Sequence, residues 1–190
     1  MGLEGWIAIA MLAVIAIWAV VIYNRLVRLR ALVKEGWSGI TVQLRRRADL
    51  IPNLVSTVEG YATHEREVLT EVTAHRADPM KARGVAETAQ ADTAFSAMLG
   101  RLMAVAEAYP DLKADDNFRQ LQSELSEIEE TLQTARRYYN ATVRDLNTSV
   151  QSFPNVMIAG PMGFKEEEFY QDTDPAIQSA PKVSFGAAKA

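Results

Sequence analysis

The sequence predicts an all-α protein: an N-terminal transmembrane helix followed by an antiparallel up-and-down helical bundle. Three observations carry this. A twenty-residue stretch near the N-terminus has no charge, and four later stretches place apolar residues at every third or fourth position. No segment before residue 154 alternates with period two, as a half-buried strand would.

The uncharged stretch is GWIAIAMLAVIAIWAVVIYN, Gly5 to Asn24. At the helical rise it covers roughly 30 Å, the thickness of bilayer hydrocarbon. Trp6 and Tyr23 fall at its two ends, where amphipathic rings favour the interface. A cleaved secretory signal would carry its basic residues before the apolar run and a small-residue cleavage site after it. Here Glu4 precedes the run, while Arg25, Arg28, Arg30 and Lys34 follow it. The stretch therefore reads as a retained anchor. The same asymmetry predicts a short N-terminus outside and a cytoplasmic body.

The first amphipathic stretch reads Leu26, Leu29, Val33, Trp37, Ile40, Leu44, and the second Leu54, Val58, Tyr61, Val68, Val72. The third reads Val85, Ala89, Phe95, Leu99, Leu102, Ala106, and the fourth runs from Phe118 through Leu132, Tyr139 and Leu146 to Phe153. Turn chemistry separates them in RADPMKARG and YPDLKADDN. Between the first and second, Asp49 can cap a new helix whose first turn tolerates Pro52. Proline inside a helix costs about 3 kcal/mol, so a break is expected there, giving four helices. The alternative is a helix unbroken through Pro52, giving three long helices. The chain thus divides into residues 1–24 (tail and anchor), 25–153 (bundle) and 154–190, an irregular tail rich in Pro, Gly and Ala.

Composition narrows the chemistry. The chain has no cysteine, which removes disulfides, thiolate metal sites and thiol nucleophiles together. A net charge of −4 gives no reason to expect a polyanionic partner. The run Arg45, Arg46, Arg47 fans around a helix and forms no stripe for phosphates, so nucleic acid is not expected. With a break at Asp49, these arginines sit at the distal end near Asp111, Asp115 and Asp116. There they favour their helix C-terminus and pair loosely with acids, each pair contributing about 0–1 kcal/mol. They are also a candidate patch for a partner protein.

His64, Glu71 and His75 fall near one helical face and form the ligand-like set in this sequence. HEREV lacks the second histidine of the zinc-protease signature, because Val68 stands there. No phosphate-binding glycine loop or nucleophile elbow is present, so neither catalytic residues nor a cofactor are expected.

The fourth helix, from Lys113 to Phe153, would extend roughly 60 Å against about 36 Å for a first helix ending at Ala48. It would then reach membrane level near Tyr138 and Tyr139. The remainder, with Arg144 and Asp145, would bend along the interface, or the bundle would tilt or lean on neighbouring copies. Val143, Leu146, Val150 and Phe153 would face lipid or another protomer. Tyr138, Tyr139, Arg144 and Phe153 therefore join the three arginines as candidate interaction residues.

Several blocks together resemble the LemA family: the Tyr23–Asn24 pair after a single anchor, GWSGITVQLRRRADLIPNLV, VEGYATHE, ARRYYNATVRDLNTSVQSFP and the GF…EEEFY tail. The resemblance implies a bacterial single-pass protein of the cell inner membrane with a helical-bundle domain. It also implies cell-envelope functions and protein partners, HtpX-like membrane proteases among them, and it supplies no catalytic residues. The expected function is a membrane-anchored, non-enzymatic scaffold or adaptor that contacts the lipid bilayer, binds protein partners and has scope to form a homo-oligomer. The alternative is a metal-binding protein or metal-dependent enzyme using His64, Glu71 and His75.

Overall fold

A computed structural model describes residues 2–171, and among these every regular element is a helix. The element that sets the architecture is α1, Leu3–Glu59, a single helix of 57 residues. Its first third is the apolar span, with an 18-residue window of mean hydropathy 2.6 that almost nothing in the chain covers. Beyond Asn24 the same helix becomes one wall of the bundle.

The expected break at Asp49 does not occur, and Pro52 lies inside α1. The reason is a matter of magnitudes. An internal proline costs about 3 kcal/mol, but Ile51, Leu54 and Val58 are fully buried by keeping helical phase. Each such side chain contributes about 1.5–3 kcal/mol on burial. Pro52 itself points to solvent, so its ring displaces no core contact.

The chain reverses later, at residues 60–65, where the Ala62 amide donates to Val58 O at 2.8 Å. Short helices α2 (Arg66–His75) and α3 (Asp78–Lys81) lead back from this distal tip. Then α4 (Val85–Glu107) returns toward it, α5 (Pro110–Ala114) crosses it, and α6 (Asp116–Gln151) runs the full length of the bundle. Asp115 caps α6, its carboxylate accepting from the Phe118 amide at 2.8 Å and from the Tyr61 hydroxyl at 3.0 Å. Four helices do pack at the distal half, but the first is the unbroken α1 and the second is the short α2.

The consequence for length is direct. From Arg25 to Glu59, α1 extends about 52 Å, nearly matching the roughly 54 Å of α6. The two lie antiparallel: Tyr61 meets Asp115, Arg47 meets Glu129, and Gly36 meets Tyr139. Val150 packs beside Ile22 and Leu26. The two helices end together, so α6 has no surplus to bend along the membrane. Val143 and Leu146 are buried against α1 rather than facing lipid or another copy.

Three clusters stack along this pair. The distal one joins Ile51, Leu54 and Val58 to Phe95, Leu102, Leu112 and Phe118. The middle one holds Ile40, Leu44, Leu132, Tyr139 and Val143, and the proximal one Ile22, Leu26, Ala159 and Phe164. Gly36 allows a close approach of α6, since a Cβ there would stand 3.0 Å from Tyr139 Cα.

Residues 154–171 fold back along the bundle. After α7 (Val156–Ala159) the chain extends, and two asparagines of α6 clamp its backbone. Asn147 accepts from the Glu167 amide and donates to the Glu167 carbonyl, both at 2.9 Å. Asn140 does the same for Tyr170, at 2.8 and 2.9 Å. Seven helical residues and three extended ones both span about 10 Å, so the two clamps are in register. Residues 172–190, including most of the sequence-expected tail, lie outside the described residues.

Candidate functional site

Arg47 occupies a core position, in phase with Leu44, Ile51 and Leu54 along α1. It is 1% exposed, and Asp92 of α4 is 0% exposed. The Arg47 guanidinium donates to Asp92, to Glu129 Oε1 at 2.9 Å and to Ser96 Oγ at 3.2 Å. Asp92 also accepts from Arg136 and from the Tyr170 hydroxyl. Two cations and two carboxylates thus neutralise one another across α1, α4 and α6, with the tail attached through Tyr170. Burial opposes the charge of Arg47, but Asp92 and Glu129 more than restore it, holding the guanidinium above its ordinary pKa. Arg136 Nε is a buried nitrogen without a partner.

This overturns the placement of the arginines at the distal tip beside Asp111, Asp115 and Asp116. Because α1 does not break, they lie halfway along the bundle. Arg45 and Arg46 are exposed, whereas Arg47 is an internal tie and cannot be a surface contact. The tyrosine pair also divides. Tyr138 is half exposed, while Tyr139 is buried and its hydroxyl donates to Glu168 O at 2.9 Å. Arg144 is exposed beside Asp145, and Phe153 is exposed at the end of α6.

The three ligand-like residues do not come together. His64 lies in the turn before α2, so the continuous helical face it needs does not form. Glu71 pairs with Arg101 at 2.7 Å, and His75 Nδ1 meets Asp78 at 2.6 Å. Among the described residues no group of three His, Asp or Glu side chains converges as a metal site would require.

A groove of about 540 Å³ lies between α1, the α3–α4 turn and the clamped segment. One wall is a stripe of α1, Arg30, Lys34, Trp37, Thr41 and Arg45, whose spacing of three and four puts all five on one face. The opposite wall is Pro79, Met80 and the turn through Gly84 to Val85, and Glu167 of the clamped segment closes one end. Gly84 has φ +88°, a backbone conformation that suits glycine and starts α4 abruptly. The Trp37 ring stands 5.6 Å from that of Tyr139 and 6.4 Å from that of Tyr170, so the floor is rigidly packed. Arg30 donates to Gly163 O at 2.9 Å, but among the described residues neither Lys34 nor Arg45 has an ion pair.

Sequence reasoning missed Asp92, Arg136, Asn140, Asn147 and Lys34. A signal was available for three of them. Asp92 interrupts the apolar phase of Ala89, Phe95 and Leu99, and the asparagines are spaced seven apart on the seam of α6.

The fold and groove define a class: a membrane-associated helical-bundle protein with one candidate N-terminal span among the described residues and a partly cationic cleft. The LemA family model matches residues 36–185, and the chain belongs to the LemA family. It is similar to the magnetosome protein MamQ 2 of Paramagnetospirillum magneticum, 27% identical over 86% of this chain and 71% of that relative. It is 24% identical to the magnetosome protein MamQ of Magnetospirillum gryphiswaldense, over 87% of this chain and 71% of the relative. Protein LemA of Metamycoplasma hominis is 27% identical over 68% of this chain and 60% of its own length.

Proposed function

We propose that this LemA-family protein is a non-enzymatic adaptor of the bacterial inner membrane, whose cytoplasmic bundle takes an acidic segment of a partner protein into the α1 groove. The observation that carries the reading is the pair Lys34 and Arg45, two cations on one groove wall that form no ion pair among the described residues. They stand eleven residues apart, about 16 Å along the helix, which matches roughly five residues of extended peptide. Trp37 between them offers an apolar ring against which such a segment can pack. Membrane proteases of the HtpX type are one partner class suggested by the resemblance. Orientation with the bundle inside is supported by Arg25, Arg28 and Arg30 following the span while Glu4 precedes it.

A photocrosslinking residue at Thr41 of the full-length protein in its own membrane tests this. Discrete protein adducts are expected at Thr41, absent from a probe at exposed Gln133, and lost when Lys34→Glu and Arg45→Glu are combined. Adducts that survive the double charge reversal would remove the groove from the reading. The non-enzymatic part has its own test: stoichiometric metal in the purified protein, whose removal by chelation abolishes function, would favour a metal-dependent enzyme.

A further inference from the structure

From Leu146 to Phe164 the chain carries no charge over nineteen residues, the longest such run outside the anchor. Its two faces have different environments. One side is buried on α1: Ala159 and Phe164 pack with Ile22 and Leu26, at the point where the apolar span ends. The other side exposes large apolar groups, Phe153 at 80%, Met157 at 65%, Met162 at 58% and Val156 at 46%.

The position of this pad fixes what covers it. Val20, Val21, Tyr23 and Val27 of α1 are exposed at the same level, so the pad adjoins the exposed apolar surface of the span, where Asn24 and Arg25 begin its polar end. Cations stand near it: Arg25 and Arg28 are exposed one turn along α1, and the uncharged run is bracketed by Asp145, paired with Arg144, and by Lys165. The pad is also held firmly. The Tyr23 and Phe164 rings meet edge-on at 5.7 Å, and the Arg30 guanidinium lies 4.1 Å over Phe164 while donating to Gly163 O. An apolar face beside the end of a candidate span, with Arg25, Arg28 and Lys165 near it, is the arrangement of a monotopic membrane contact.

We propose that the corner between α6 and the clamped segment, residues 153–162, enters the headgroup–acyl boundary of the same bilayer that α1 crosses. The protein then holds the membrane at two points. Because α6 is antiparallel to α1, this second contact fixes the rotation and tilt of the whole bundle relative to the surface. The pad uses neither Lys34 nor Arg45, and it stands whether or not the groove binds a partner.

The chain lacks native cysteine, so single spin labels can be placed cleanly. The full chain is reconstituted in vesicles of mixed zwitterionic and anionic phospholipid, labelled singly at Phe153→Cys, Met157→Cys, Tyr23→Cys or Thr131→Cys. Labels at 153 and 157 are expected to match the label at 23, with oxygen accessibility several-fold above that of a water-soluble nickel relaxant. The label at 131 should show the reverse. Labels at 153 and 157 that resemble 131 overturn the proposal. Spectral broadening at 153 that grows with the protein-to-lipid ratio would overturn it in favour of a second copy covering the pad. In Met157→Ser/Met162→Ser, two exposed changes that spare the core, the label at 153 should lose its oxygen preference. Retention of that preference would show that α1 alone places the label there.

Discussion

Arg47 of α1 and Asp92 of α4 form an ion pair with essentially no exposure, and Asp92 shares its carboxylate with Arg136 and Tyr170. Three helices and the clamped segment therefore meet at one carboxylate. Asp92→Ala leaves Arg47 charged and buried without its main partner, a change that costs about 3–5 kcal/mol. Chemical unfolding of the detergent-solubilised chain, followed by circular dichroism, measures it. Arg47→Met with Asp92→Leu should cost less than Asp92→Ala alone. An equal or larger loss in the double variant would mean the pair is not what makes Asp92 costly to remove.

Two glycines three residues apart on α1 should respond in opposite directions. A Cβ at position 36 meets the Tyr139 backbone at 3.0 Å, so Gly36→Ala should lose about 1–3 kcal/mol by forcing α1 from α6. At Gly39 the nearest atom is Ala135 Cβ at 3.8 Å, an ordinary contact. Gly39→Ala should gain about 0.5–1 kcal/mol from helix propensity. Similar effects at both positions would contradict the close approach.

Pro52 is tolerated rather than required. Pro52→Ala restores a helical hydrogen bond on an exposed face and should raise stability, by up to about 3 kcal/mol. Helix content should remain essentially the same. A fall in stability would show that the proline shapes α1 in a way the packing needs.

Burial, then the Glu167 and Glu168 carboxylates, push the Tyr139 hydroxyl up to about 12 from an ordinary 10.0. Burial and Asp92 move Tyr170 the same way. The unfolded chain loses these protons at lower pH than the folded one. The stabilisation is therefore complete below about pH 10 and declines as pH rises through about 12. Denaturant midpoints taken between about pH 9 and about pH 12 should fall across that window. A flat profile would show the two hydroxyls to be more open to water than their packing implies.

For orientation, a reporter fused after Ala190 should be active only in its cytoplasmic form. Activity in the exported form would reverse the topology inferred from Arg25, Arg28 and Arg30.

Periodicity and composition by themselves determined a good deal. The uncharged run from Gly5 to Asn24 specified the span, and spacings of three and four specified helices, because both follow from local geometry. Local energetics also misled. The cost of Pro52 was visible in the sequence, while the burial of Ile51, Leu54 and Val58 that offsets it depends on α4 and α6. From that one continuous helix follow the nearly equal lengths of α1 and α6, the central position of Arg45 to Arg47 and the packing of Val150, near the end of α6, beside Ile22 and Leu26. The charges at 47 and 92 each stand in an apolar phase and so were legible as anomalies. That they face one another, across 45 positions of chain, was decided by tertiary structure, since only packing brings opposite charges from separate helices out of water together.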